Sequence, residues 1–283
     1  MKNYLELTKP TITWLILMST GIGYFFGIHG SWSLAALLHT LLGTAFIASG
    51  TATLNQWYER EADAKMRRTM RRPIPSGRVS ARRALLFGIG LAAAGFLELA
   101  LAVNPLTGLL GLATLLSYLF LYTPLKQRSP ISTTVGAFPG AMPLLIGYAA
   151  ASGTLRAEAW VLYVILFLWQ FPHFLSIAWM YREDYRRAGI VMLPVVEPDG
   201  KATARQIVLC SLLLIPASLA PSFLHMAGTV YLFGALALGL MFLSAGLRVA
   251  FDRTQSRARQ VLLASVVYLP LLYGLMLFDR PRW

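Results

Sequence analysis

Long runs of apolar residues recur along the whole chain, and they restrict the folds that are open to it. A helix needs about 20 apolar residues to cross the hydrocarbon core of a bilayer. The chain is 57% hydrophobic and only 13% charged, against about 25% charged residues in a soluble domain. These runs predict an all-α, polytopic membrane bundle of nine transmembrane helices, or eight if one hairpin enters the membrane without crossing it. The predicted spans are roughly 10–29, 33–54, 83–103, 105–122, 131–151, 158–179, 206–225, 228–247 and 259–278.

No linker or low-complexity segment divides the chain, so we treat 1–283 as a single domain. Two long polar loops, about 55–82 and 180–205, follow the second and the sixth predicted spans. This placement predicts two pseudo-repeated four-helix halves plus one helix, and sites in membrane proteins often form between such repeats. We expect the two loops, called the cap loops below, to close over one cavity.

The net charge of +13 is compatible with nucleic-acid binding until the positions of the basic residues are considered. If the N-terminus is cytoplasmic, every Lys and Arg except Arg156, Arg280 and Arg282 falls on the cytoplasmic side. Cytoplasmic loops of membrane proteins are enriched in basic residues. The charge therefore predicts a lipid bilayer, and no nucleic acid, as the partner. The N-terminus resembles neither a cleaved signal nor a transit peptide, which favours a bacterial or archaeal plasma membrane.

The first cap loop opens with three oxygen-bearing side chains spaced four residues apart: Asn55, Glu59 and Asp63. On a helix this spacing forms one stripe about 12 Å long, which we call the oxygen stripe. A row of oxygen ligands suits a hard divalent cation such as Mg²⁺. A charged run at a membrane edge is also typical of a solvated surface. Polar groups at the end of an apolar helix are costly and usually functional, which favours a metal site.

Basic residues follow the oxygen stripe and recur after the fourth and sixth predicted spans. Arginine and lysine form charge-assisted hydrogen bonds with phosphate oxygens. Proline and glycine within 73–77 predict a turn that folds the first basic cluster back. A metal and diphosphate site on the cytoplasmic rim predicts a substrate with a charged head and a lipid-soluble tail. The candidate diphosphate-binding residues are Lys65, Arg67, Arg68, Arg72, Tyr122, Lys126, Arg128 and Arg182.

The sixth predicted span runs into a second polar segment. Pro172 frees backbone carbonyls inside this helix, as happens where a membrane helix lines a cavity. His173 precedes Asp184 by 11 residues, and we predict that both face one side of the same helix. Asp184 is the candidate second metal ligand or catalytic carboxylate. For His173 a purely structural hydrogen bond is the alternative to a role in the site.

These segments together resemble a known family. The oxygen stripe matches the Asn-x-x-x-Asp/Glu-x-x-x-Asp motif of the intramembrane aromatic prenyltransferases, the UbiA superfamily; Glu59 is a variant that the family tolerates. Within the superfamily, the chain is similar to the heme O synthases or protoheme IX farnesyltransferases. The similar segments occur in order along most of the chain, at 7–10, 63–77, 122–126, 136–141, 169–174 and 184–196.

The resemblance implies transfer of farnesyl from farnesyl diphosphate to the 2-vinyl group of heme B, with addition of water. It implies Mg²⁺ as cofactor, held by the oxygen stripe and by Asp184, with Asp63, Asp184 and His173 as catalytic residues. It makes His173 and Tyr181 candidates for contact with heme. The implied partners are farnesyl diphosphate, heme B and, downstream, heme A synthase or a heme-copper terminal oxidase assembly.

Two alternatives stay open. The first is prenylation of the aromatic ring of a quinone precursor by the same scaffold. Quinone-type members carry several aspartates in the second motif, whereas this chain has one clear aspartate, Asp184, which favours the heme branch. The second is transport of an anionic lipid or metabolite, which would suit pseudo-repeats and proline-broken helices. The strongest polar cluster lies on the cytoplasmic rim rather than at mid-membrane, which argues against transport.

Overall fold

The computed structural model describes residues 2–30 and 32–280, and in this part of the chain the regular structure is entirely helical. Arg282, which the sequence assigned to the outer tail, lies outside the described residues. The predicted all-α membrane bundle is confirmed. Eight described helices are long and apolar enough to cross a membrane: Leu34–Tyr58, Ala81–Val103, Pro105–Leu125, Ser132–Ser152, Ala157–Met180, Lys201–Phe223, Thr229–Phe251 and Gln255–Phe278.

Short helices lie between or before these spans, and two spans continue through π-helical segments, Glu98–Val103 and Ser117–Tyr122. The first predicted span corresponds to α2, which is only 18 residues long and is not one of the eight. A ninth crossing and the orientation of the N-terminus therefore stay predictions. The helices are α1 (Lys2–Leu7), α2 (Pro10–Gly27), α3 (Leu34–Tyr58), α4 (Arg60–Lys65), α5 (Ala81–Leu97), α6 (Pro105–Leu116), α7 (Thr123–Leu125), α8 (Ser132–Ser152), α9 (Ala157–Met180), α10 (Arg182–Arg187), α11 (Leu193–Val196), α12 (Lys201–Phe223), α13 (Thr229–Phe251) and α14 (Gln255–Phe278).

Several helices begin where a side chain satisfies a free backbone N–H. Ser33, Ser80 and Thr254 accept hydrogen bonds from the first turns of α3, α5 and α14. Asn104 does the same for α6, and Pro105 occupies the first helical position, where no N–H is needed. These caps mark where four of the eight long helices begin.

The main core forms where α8, α9, α12, α13 and α14 meet. Its largest side chains, including Tyr148, Tyr231 and Tyr268, are fully buried. Large apolar side chains also lie on the outside of the bundle; Leu101 and Phe251, for example, are 81% and 88% exposed. Such exposure marks an interaction surface on a soluble protein, and on this chain it is the expected contact with lipid.

Helices α2 and α8 pack with their backbones in close contact. A Cβ atom added at Gly23, Gly27 or Gly147 would overlap backbone atoms of the facing helix. Small residues allow this approach in membrane bundles, where close packing replaces the hydrophobic effect between helices. The contact fixes α2 in the bundle, and with it the residue that precedes α2, Lys9.

Gly147→Ala is expected to destabilise the protein by about 1–3 kcal/mol, because the added methyl group overlaps the α2 backbone at Thr20 and Tyr24. The measurement is the apparent Tm of the purified protein in detergent. Gly21→Ala on α2 is the matched control, since its Cβ meets nothing within 4 Å. Equal Tm values for the two variants would contradict the close packing of α2 on α8.

One prediction about the second cap loop is wrong. Helix α9 ends at Met180, and Tyr181, with φ −110° and ψ 18°, separates it from α10. His173 and Asp184 therefore do not share one face of one helix. The chain turns here because the following segment packs against the first cap loop, where Ile190 and Met192 contact the apolar side chains of the α4 region.

Candidate functional site

The oxygen stripe lies at the junction of α3 and α4. Asn55 belongs to the last turn of α3, Glu59 joins the two helices, and Asp63 lies in α4. The N–H of Glu59 donates to the carbonyl of Asn55 at 2.9 Å, and that of Asp63 donates to the carbonyl of Glu59 at 2.8 Å. Because this ladder continues through the junction, the side chains keep their predicted spacing. They are 1%, 7% and 0% exposed, respectively.

All three side chains line one pocket of about 100 Å³, called the polar pocket below. The residue before α2 and the first cap loop form one part of its wall. The C-terminal end of the span Pro105–Leu125, α10 and the segment after α10 form the rest. The two cap loops therefore meet at one cavity. Its lining residues are Lys9, Asn55, Glu59, Asp63, Met66, Arg68, Thr69, Arg72, Tyr118, Tyr122, Lys126, Tyr185, Ile190 and Met192.

Two of the predicted phosphate-binding cations contact the carboxylates of the stripe. Nη1 of Arg72 donates to both carboxylate oxygens of Asp63, at 2.8 and 2.7 Å. Nζ of Lys126 donates to Oε1 of Glu59 at 2.7 Å. Both pairs are largely buried, and a buried charge requires such a partner. The polar pocket thus holds alternating negative and positive groups within hydrogen-bonding distance.

These charges shift the pKa values in the pocket. Burial alone would raise the pKa of Glu59, but the charge and hydrogen bond of Lys126, together with the charges of Lys9 and Arg72, hold it below its usual value. Burial opposes the charged form of Lys126, yet the carboxylate of Glu59 raises the Lys126 pKa well above its usual value. The pair is therefore ionised at neutral pH.

Lys9 belongs to the pocket, although from the sequence it was assigned only to the cytoplasmic side and to a segment that resembles the family. Its Nζ donates to Oδ1 of Asn55 at 3.3 Å, and Nδ2 of Asn55 donates to Thr123 at 3.2 Å. Burial, with repulsion from Arg72, lowers the pKa of Lys9 to about 7. The backbone of Lys9 is left-handed, with φ 48°, directly before Pro10. The sequence feature that could have pointed to this role is a lysine next to a proline at the start of an apolar helix.

An aromatic pair forms the wall beside these charges. The rings of Tyr118 and Tyr122 lie 4.9 Å apart edge to face, and Nζ of Lys126 is 4.4 Å from the centre of the Tyr122 ring. Tyr118 and Tyr185 were both missed from the sequence. Tyr118 precedes Tyr122 by four residues, the spacing that places two side chains on one helix face. Tyr185 is adjacent to the predicted Asp184.

The other predicted site residues do not line the polar pocket; they are Lys65, Arg67, Arg128, His173, Tyr181, Arg182 and Asp184. Asp184 pairs with Arg187 in the next turn of α10. Arg182 lies 4.4 Å above the ring of Trp179. Arg68 connects this region to the pocket, since its guanidinium lies 5.3 Å from the ring of Tyr181.

The oxygen stripe has the donors that Mg²⁺ prefers. Two carboxylates and one amide oxygen, all buried, face the same cavity. Within residues 2–30 and 32–280, no group of three His, Cys, Asp or Glu side chains is placed to hold a metal ion. A metal at the stripe therefore needs Asn55 and oxygens from a substrate or from water. Mg²⁺ is usually bound in this way, by one or two carboxylates plus substrate phosphates.

A helical membrane bundle with buried carboxylates, cations and tyrosines around one pocket defines a class: enzymes acting on lipids that have an anionic head. The chain belongs to the UbiA prenyltransferase family, whose model matches residues 16–269. It is 64% identical to a protein named protoheme IX farnesyltransferase from Solibacter usitatus, over 99% of each chain. The chain is thus a multi-pass membrane protein of a prenyltransferase family.

Solved structures have the same fold. A structure described as digeranylgeranylglyceryl phosphate synthase superposes with a TM-score of 0.83 at 18% identity, covering 99% of this chain and 98% of that one. A UbiA homolog from Archaeoglobus fulgidus bound to GPP and Mg²⁺ superposes with a TM-score of 0.68 at 20% identity, covering 97% and 99%. At these identities the likeness establishes the fold.

Proposed function

We propose that this chain transfers farnesyl from farnesyl diphosphate to the 2-vinyl group of heme B, with addition of water, to give heme O. The observation that carries this choice is the 64% identity, over 99% of both chains, to the relative named protoheme IX farnesyltransferase. The polar pocket supports it independently, because its lining places carboxylates suited to a divalent cation beside basic groups suited to a diphosphate.

In this proposal the oxygen stripe holds Mg²⁺, and Lys9, Arg68, Arg72 and Lys126 bind the diphosphate. The stripe alone would provide too few ligands for the metal, and oxygens of the diphosphate would supply the others. When bound, Mg²⁺ stabilises the negative charge of the departing diphosphate. The neighbouring cations stabilise the same negative charge. Such preorganised groups stabilise a transition state most strongly in a site shielded from water.

The reaction begins as the bond between C1 of farnesyl and the diphosphate oxygen breaks. The allylic cation that results is captured by the terminal carbon of the vinyl group, and water then adds to the inner carbon with loss of a proton. The rings of Tyr118 and Tyr122 border the pocket, and aromatic faces stabilise cations. The buried position of the pocket excludes water until the carbon–carbon bond has formed.

Asp184 and Tyr181 have a supporting role in this proposal. Asp184, paired with Arg187, stabilises α10 and so positions Tyr185 in the pocket wall. Tyr181 packs against Arg68, a proposed diphosphate ligand. We further propose a single domain whose two cap loops enclose the active site on the cytoplasmic side of a bacterial plasma membrane. Heme O would pass to heme A synthase or a terminal oxidase assembly.

The test is product formation by the purified protein in lipid nanodiscs. With heme B, farnesyl diphosphate and Mg²⁺, mass spectrometry is expected to show heme B with a farnesyl group and a hydroxyl group added across one vinyl double bond, and chelation of the metal is expected to abolish this product. Hydroxybenzoate supplied beside heme B tests the alternative acceptor. A prenylated hydroxybenzoate with unmodified heme would overturn the choice of heme. Absence of any covalent product would favour transport.

A further inference from the structure

His173 lies outside the polar pocket, in a hydrogen-bonded cluster between α9 and α14. Its Nδ1 lies 2.8 Å from Oγ of Ser265. The indole of Trp169, one turn earlier on α9, stacks on the imidazole at 4.6 Å between ring centres, and its Nε1 donates to the carbonyl of Ser265 at 2.9 Å. Two neighbouring residues thus fix the plane and the position of one imidazole ring.

The hydrogen bonds of Ser265 determine which nitrogen of His173 carries the proton. Oγ of Ser265 donates its only hydrogen to the carbonyl of Leu262, at 2.6 Å. It must therefore accept from Nδ1–H of His173. In the neutral imidazole the other nitrogen, Nε2, then carries a lone pair. A histidine whose Nδ1–H is held by an oxygen acceptor is the usual arrangement of a metal-binding histidine.

Nε2 of His173 is without a partner among the described residues. It makes no hydrogen bond to any of them, and the His173 side chain is partly buried. The ring of Phe174, next to it, is 43% exposed and lies edge-on to the imidazole at 5.2 Å. The surroundings of the lone pair are therefore aromatic and accessible, which suits a flat apolar molecule.

Helices α2 and α14 both pack against α9, but within the described residues they make no extensive contact with each other. At the outer end Arg280, just after α14, donates to the carbonyls of Phe25 and Ile28 at the end of α2. The two helices are thus tied together at the end opposite Lys9, and the side of α9 between this tie and the polar pocket is where a lipid-soluble ligand would approach in the proposal below.

We propose that Nε2 of His173 binds the iron of the heme substrate, and that Ser265 and Trp169 position the imidazole for this contact. The identification of the ligand as heme rests on the proposed function. Iron ligation would anchor the porphyrin in one orientation, so that one vinyl group, rather than any edge of the ring, is presented to the farnesyl donor.

The experiment measures heme B binding in nanodiscs without farnesyl diphosphate. After reduction, the wild type is expected to show an iron–histidine stretching band in the resonance Raman spectrum. His173→Ala is expected to lose this band, and added imidazole is expected to restore it. Ser265→Ala is expected to shift the band and weaken heme binding about 10-fold, the usual effect of removing the partner of a metal-binding histidine.

Ser244→Ala is the matched control, because Ser244 on α13 makes the same kind of bond to a carbonyl three residues earlier, at 2.7 Å, and has no histidine partner. It is expected to leave the band and the affinity unchanged. A wild type that makes product without showing the band, or a band that persists in His173→Ala, overturns the inference alone. A band without product overturns only the proposed function, and no heme binding at all overturns both.

Discussion

Asp63→Asn is expected to reduce prenyl transfer by roughly 1,000-fold or more. Asp63 is fully buried, lines the polar pocket and holds both of its oxygens within 2.8 Å of Arg72. The amide keeps the shape but not the charge. It would weaken the proposed Mg²⁺ site and leave the Arg72 guanidinium opposite a neutral group. The measurement is kcat for heme O formation at saturating substrates.

Glu61→Gln is the control for Asp63→Asn. Glu61 lies two residues away in the same helix, but its side chain is 84% exposed and, among the described residues, forms its ion pair with Arg60. The same change from acid to amide there is expected to leave kcat unchanged. Raising the Mg²⁺ concentration separates a metal role from a general loss of structure, because only a weakened metal site is partly rescued. Equal activity of both variants would eliminate the proposed role of Asp63.

Much of the fold could be predicted from the sequence because a bilayer permits few backbone structures. Apolar runs must become helices when no water is available to the backbone, and the caps at Ser33, Ser80 and Asn104 mark where they begin. The shortest span, α2, is the one whose crossing stays a prediction. Its packing depends on glycines that face α8, and sequence spacing does not reveal which helix they face.

The candidate site could be predicted from the sequence only where its residues lie close together along the chain. The oxygen stripe follows from a spacing of four. Lys9, Tyr118 and Tyr185 come from three other segments, and only the tertiary structure brings them to the same pocket. The error over His173 and Asp184 has the same origin, because the break at Tyr181 arises from packing between the cap loops rather than from a local helix-breaking residue.

Lys126→Met is expected to destabilise the protein by about 3–5 kcal/mol in addition to abolishing activity. The substitution keeps most of the apolar stem of the side chain but removes the nearest cation from Glu59, whose carboxylate would then be buried without its 2.7 Å partner. The free energy of unfolding in detergent is the measurement. Lys201→Met is the control, since Lys201 is 73% exposed and its ion pair with Asp199 is at the surface. Its unfolding midpoint is expected to match the wild type.

The double variant Glu59→Gln/Lys126→Met separates the two roles of this pair. Removing both charges leaves no buried ion unpaired, so stability is expected to return to within about 1 kcal/mol of the wild type. Heme O formation is expected to stay abolished, because the proposed metal and diphosphate sites each lose a charged ligand. Recovery of both properties would mean that the pair is structural only. Recovery of stability alone would assign Glu59 and Lys126 to the chemistry, since the fold would then be intact and the reaction still lost.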